Sequence, residues 1–189
     1  MGCLMNFNSH SALHGRHAFL SPSNYHWINY TEERLDARYA LARAAARGTA
    51  LHELAHKAIV MGVRLAADDR ALSDYVADAI DFSMEVEQPL YFSDNCFGTP
   101  DTISFVNNYL RIHDLKTGIV KASMKQLLVY AALFCLEYGF SPFGIEMELR
   151  IYQEDVEIHI PDPDEVAHIM DVIIASDRRI ELLKGGVIQ

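Results

Sequence analysis

Two asparagines, Asn107-Asn108, separate two runs in which apolar and polar residues alternate, GTPDTISFV and YLRIHDLKTG. A link this short between alternating runs is a hairpin signal, and asparagine tolerates the left-handed backbone that such turns require. It constrains the chain more than any other feature. A tight turn sets the pairing register, and the register assigns every side chain to a face. Asp114 and Lys116 stand two residues apart, so they point to the same face of the returning strand. Asp101 opens the partner strand and becomes a near neighbour of Asp114 across the hairpin, with a bulge allowed.

Elsewhere the pattern is helical or strand-like in turn. Ser21-Pro22-Ser23 reads as a helix start. The Ala-, Leu- and Arg-rich stretch ERLDARYALARAAARGTALHELAHKAIVMGVRLA reads as helix, broken in two at Gly48-Thr49 with Thr49 as N-cap. A further helix is expected over 73–80. SMEVEQPLYFS then alternates like a strand. SMKQLLVYAALFCLEYG reads as an apolar helix closed by Gly139, GIEMELRIYQ and VEIHI as two more strands, and residues 161–183 as a terminal helix. This order gives an α/β fold with a mixed sheet, in one domain over residues 1–189 with 1–47 as a helical annex.

Three cysteines, Cys3, Cys96 and Cys135, are too few and too scattered for a four-cysteine cluster or a disulfide framework. No apolar run is long enough to span a membrane, and MGCLMNFNSHSALHGRHAF has no apolar segment behind a basic start. The expected compartment is the reducing cytoplasm. The net charge of −10 argues against a general polyanion binder. Residues 1–60, however, carry six basic and four acidic side chains, so a phosphate-facing surface is expected there.

Two bare carboxylates about 4 Å apart repel by roughly 4 kcal/mol at an effective dielectric near 20. A divalent cation between them, or protonation of one, relieves that repulsion. Mg2+ suits one or two carboxylates completed by water and phosphate oxygens. Lys116 beside the pair could orient a water or stabilise charge on a phosphate. The plainer reading is a surface hairpin with an ordinary Asp–Lys ion pair.

Upstream of the hairpin lie Gly48-Thr49-Ala50-Leu51-His52-Glu53 and Glu87; downstream, Gln126 and Tyr130 share a helix face. Taken in order, these pieces resemble the RecB-like, phage-encoded branch of the PD-(D/E)XK nuclease superfamily over nearly the whole chain. The resemblance implies a restriction-endonuclease-like core and a Mg2+- or Mn2+-dependent deoxyribonuclease. It is expected to act as an exonuclease at DNA ends in recombination or repair of phage-type DNA. His52, Asp101 and Asp114 would be metal ligands with the Leu115 carbonyl, and Lys116 the catalytic lysine. Glu87 would be the acidic residue of the first core strand. Gln126 and Tyr130 would support DNA binding, with Arg43 and Arg47 gripping phosphates. DNA is the implied partner, with a second copy or a recombination protein as companions. No iron–sulfur cluster is implied, because four cysteines are lacking.

A rival pattern overlaps the first. His52-Glu53-Leu54-Ala55-His56 matches H-E-x-x-H, in which two histidines on one helix face bind zinc and the glutamate acts as general base. That reading, a zinc metallopeptidase, leaves Asp101, Asp114 and Lys116 without a role. A catalytically silent DNA-binding relative is a third reading.

Overall fold

The computed structural model of the chain describes residues 9, 11–13, 15, 17–67, 69–118 and 120–185. Cys3 and the MGCLMNFN start lie outside the described residues. The chain divides into two compact units, one ending at Arg47 and one beginning at Gly48. In the first, a 3₁₀ segment (Pro22–Asn29) precedes the start of helix α1 (Glu32–Met61). The Thr31 hydroxyl accepts the Arg34 amide at 3.3 Å and caps that start.

α1 corrects one expectation: Gly48 does not break it, and Thr49 lies inside the helix rather than at an N-terminus. Glycine in a helix costs about 1 kcal/mol against alanine, so its presence needs another reason. A Cβ on the buried Gly48 would lie 2.7 Å from the Thr117 hydroxyl. The glycine permits a close approach.

The second unit adds α2 (Arg70–Asp81), β1 (Glu85–Val86), β2 (Leu90–Ser93), β3 (Cys96–Gly98), β4 (Thr102–Val106) and β5 (Tyr109–Leu115). Then come α3 (Lys125–Tyr138), β6 (Glu146–Tyr152), β7 (Val156–His159) and α4 (Pro163–Lys184). The central sheet has the order β1-β4-β5-β6-β7. All its pairs are antiparallel except β5–β6, which is parallel and bridged by α3 as a parallel pair requires. The molecule is therefore α/β, with a mixed central sheet flanked by helices.

SMEVEQPLYFS is not one strand. Glu87 takes a left-handed backbone (φ 50°), and Pro89 follows with no amide to donate. The run splits there. β1 joins the central sheet, while β2 pairs with β3 in a separate ribbon. Asn107 and Asn108 form the hairpin turn at φ 54° and 61°, and Gly139 ends α3 at φ 71°.

β5 is covered on both faces, and its alternation sorts the core. Leu110 and Ile112 join a cluster with Leu127, Ala131, Leu149 and Val166, under α3 and α4. Leu115 joins Ala58, Leu72, Val76 and Tyr152, under α1 and α2. Asp114 shares the α3-side parity of Leu110 and Ile112. Among the described residues, no helix is long and apolar enough to cross a membrane.

A partly buried charged group closes the α2 side. Glu148 accepts from Arg150 at 3.0 Å and stands 3.5 Å from Arg111 Nε, and Arg150 also donates to Asp78 at 2.7 Å. Removing Glu148 leaves the Arg111 and Arg150 charges with less compensation. Glu148→Ala is expected to lower stability by about 2 kcal/mol, read from urea unfolding.

Candidate active site

The hairpin register builds the site. Thr102 pairs with His113 and Val106 with Tyr109, without a bulge. One step beyond the ladder places Asp101 opposite Asp114. The Leu115 amide donates to Asp101 Oδ2 at 2.9 Å, which locks the carboxylate over the end of β5. This amide bond is what the structure records for Leu115; its side chain is core. His52, on α1, brings Nδ1 to 3.4 Å from the same Asp101 oxygen.

Asp114 is 2% exposed. Burial first, and the Asp101 charge second, push its carboxyl up to about 6, against the pull of Lys116. The ammonium of Lys116 donates to Asp114 Oδ1 at 3.1 Å and lies 2.8 Å from Oδ2. Oδ2 is the nearer of the two oxygens to the ammonium, so Lys116 bridges both oxygens of the carboxylate. A buried carboxylate is costly without a partner charge, and Lys116 supplies that charge.

Lys116 itself is held from three directions. Its amide donates to the Tyr152 carbonyl at 2.7 Å, extending the β5–β6 pairing past the strand. Its Nζ reaches Asp114 and also Gln126 Oε1 at 3.1 Å. Gln126 Nε2 in turn donates to the Tyr130 hydroxyl at 3.2 Å, which donates to the Thr99 carbonyl at 3.0 Å. Gln126 and Tyr130 therefore tie α3 to the lysine and to the Gly98-Thr99-Pro100-Asp101 turn. Gly98 is needed there: a Cβ would come within 2.9 Å of the Tyr130 ring.

Glu87 departs from its expected position on a strand. It follows β1, is exposed, and sets Oε2 3.3 Å from His56 Nδ1. Its amide donates to the Asp101 carbonyl at 3.0 Å. His52 and His56, one turn apart on α1, thus face different carboxylates. Glu53 is exposed. Arg43 and Arg47 are exposed on α1 in the first unit.

Thr117 and Tyr75 are not singled out in the sequence, and Gly48 reads there only as a helix break and part of a motif. Gly48 and Thr117 meet only in three dimensions. Tyr75, on α2, is buried, and burial first, then the Asp101 charge, raise its phenol pKa.

Among the described residues, no group of three or more His, Cys, Asp or Glu stands in metal-holding geometry. Mg2+ does not require one, since one or two carboxylates with water and substrate oxygens suffice. Asp101 and Asp114 have the donor chemistry for such a hard cation, and positive charge there would relieve their mutual repulsion. Comparison with family models, curated proteins and solved structures finds no match to this chain.

Proposed function

We propose that this chain is a metal-dependent DNA nuclease built on a restriction-endonuclease-like core, a RecB-like member of the PD-(D/E)XK superfamily. One observation carries the reading: a buried carboxylate, Asp114, opposite Asp101 and ion-paired to a lysine whose ammonium Gln126 also holds.

Asp101 and Asp114 would hold Mg2+ or Mn2+, with His52 against Asp101. When bound, the ion polarises the phosphodiester and lowers the pKa of a coordinated water. The protein's own residues supply the rest. Lys116 is aimed by Gln126 so that its charge meets the negative charge that grows on the phosphate in the transition state. The Leu115 amide and His52 orient Asp101. Tyr130 and Thr99 hold the turn that carries Asp101 against α3. The resemblance favours exonuclease action at DNA ends in phage-type recombination or repair, in a host cytoplasm.

The test is an assay of purified protein on linear duplex, closed circular and single-stranded DNA, with Mg2+, Mn2+ or Zn2+. Linear DNA should be degraded with Mg2+ or Mn2+, circles should survive, and EDTA should stop the reaction. A folded protein that cleaves none of these with any ion is not a nuclease. Glu53-dependent cleavage of a peptide, with one zinc per chain, would establish the metallopeptidase instead.

A further inference from the structure

We propose that the first unit carries a stacking site for the unpaired bases of single-stranded DNA. The inference deepens the nuclease reading and rests on it for nucleic acid as the occupant.

A hollow of about 360 Å³ lies within this unit, lined by Phe19, Asn24, Trp27, Tyr30, Arg38 and Leu41, among others. That is the size of a small-ligand cleft. Its aromatic walls are ordered. The Trp27 indole N–H donates to the Ser21 carbonyl at 3.0 Å. The Arg34 guanidinium lies 4.6 Å above the Tyr30 ring, and Phe19 meets Tyr39 edge-on at 5.3 Å. Leu41 is 63% exposed, so apolar surface is left open to a partner.

Charge indicates the partner. At about 100° per residue, Arg34 and Arg38 share the hollow's side of α1, and Glu32, Glu33 and Asp36 project elsewhere. Arg38 makes no ion pair or hydrogen bond among the described residues. In a chain of net charge −10, a free guanidinium beside three aromatic rings complements a strand that carries phosphates and flat bases. Duplex bases are already stacked and cannot enter such a hollow, whereas every unpaired base offers a π-face.

Trp27 is the only tryptophan in the chain, so its fluorescence reports on this hollow alone. The full chain, in EDTA to prevent cleavage, is titrated with a thymidine oligonucleotide, with an abasic strand of equal length and with duplex. Saturable quenching by the thymidine strand is expected, with affinity about tenfold above that for the abasic strand or duplex. Arg38→Ala and Leu41→Ala, both at exposed positions, should each weaken it by about tenfold with the circular dichroism unchanged. The proposal is overturned by absent quenching, by equal affinity for the abasic strand or duplex, or by indifference to both substitutions. A fluorescence change that follows protein concentration without DNA identifies a second copy as the occupant and also overturns it. Quenching without metal-dependent cleavage overturns only the nuclease reading; cleavage without quenching overturns only this one.

Discussion

Asp114→Asn is expected to abolish metal-dependent DNA cleavage, lowering the rate by about 10³-fold or more, or roughly 4 kcal/mol at the transition state. Asparagine keeps the volume, so no cavity opens between β5 and α3. The lost property is the negative charge of the buried carboxylate. The fold should survive the change. A carboxyl pushed up to about 6 by burial is a desolvated charge whose removal relieves the interior. Lys116 keeps Gln126 as a partner and is only partly buried. The measurement pairs single-turnover cleavage with a thermal melt. A variant that melts like the parent and cleaves at the parent rate removes Asp114 from the chemistry. Retention of cleavage would also mean that the hairpin's acid pair serves only the fold.

Lys116→Ala is expected to reduce the single-turnover rate by about 10² to 10³-fold while leaving Mn2+ affinity unchanged or raised. Lysine has donors and no acceptor, so it cannot be a ligand to a cation. With no ion present its ammonium partly neutralises Asp114 from 2.8 Å. Removing that ammonium makes the carboxylates more attractive to a cation, while it takes away the charge aimed at the phosphate. The two effects have opposite signs, so the pair of measurements distinguishes this role from a structural one. A Mn2+ titration alongside the rate reads both. Equal loss of rate and metal affinity would place Lys116 in holding the hairpin together. An unchanged rate would leave it as an ordinary ion-pair partner of Asp114.

The acid pair was legible because its geometry is local. Asn107-Asn108 accept a left-handed backbone, the strands alternate with period two, and together these place Asp101 opposite Asp114 before any distant residue is considered. The Gly139 stop of α3 is legible for the same reason, as a single backbone angle that glycine adopts freely. Gln126 and Tyr130 could be placed on one helix face. Their bonds to Lys116 and to the Thr99 carbonyl could not, because those partners meet only when α3 packs against the hairpin.

Other features depended on distance along the chain. Gly48 looks like a helix breaker by propensity, which weighs about 1 kcal/mol, yet α1 runs through it. Thr117, far away in sequence, decides what that glycine is for. Glu87 alternates in step with a strand, but its positive φ takes it off β1 and towards His56. The parallel partnership of β5 with β6 joins segments separated by all of α3. Turn chemistry, residue alternation and helix ends thus followed from the sequence, because they reflect dihedral preferences of neighbouring residues. Which strands pair, which glycine makes room for which side chain, and which carboxylate each histidine faces were decided by tertiary packing, where contacts between remote segments outweigh local preferences of a kilocalorie or less.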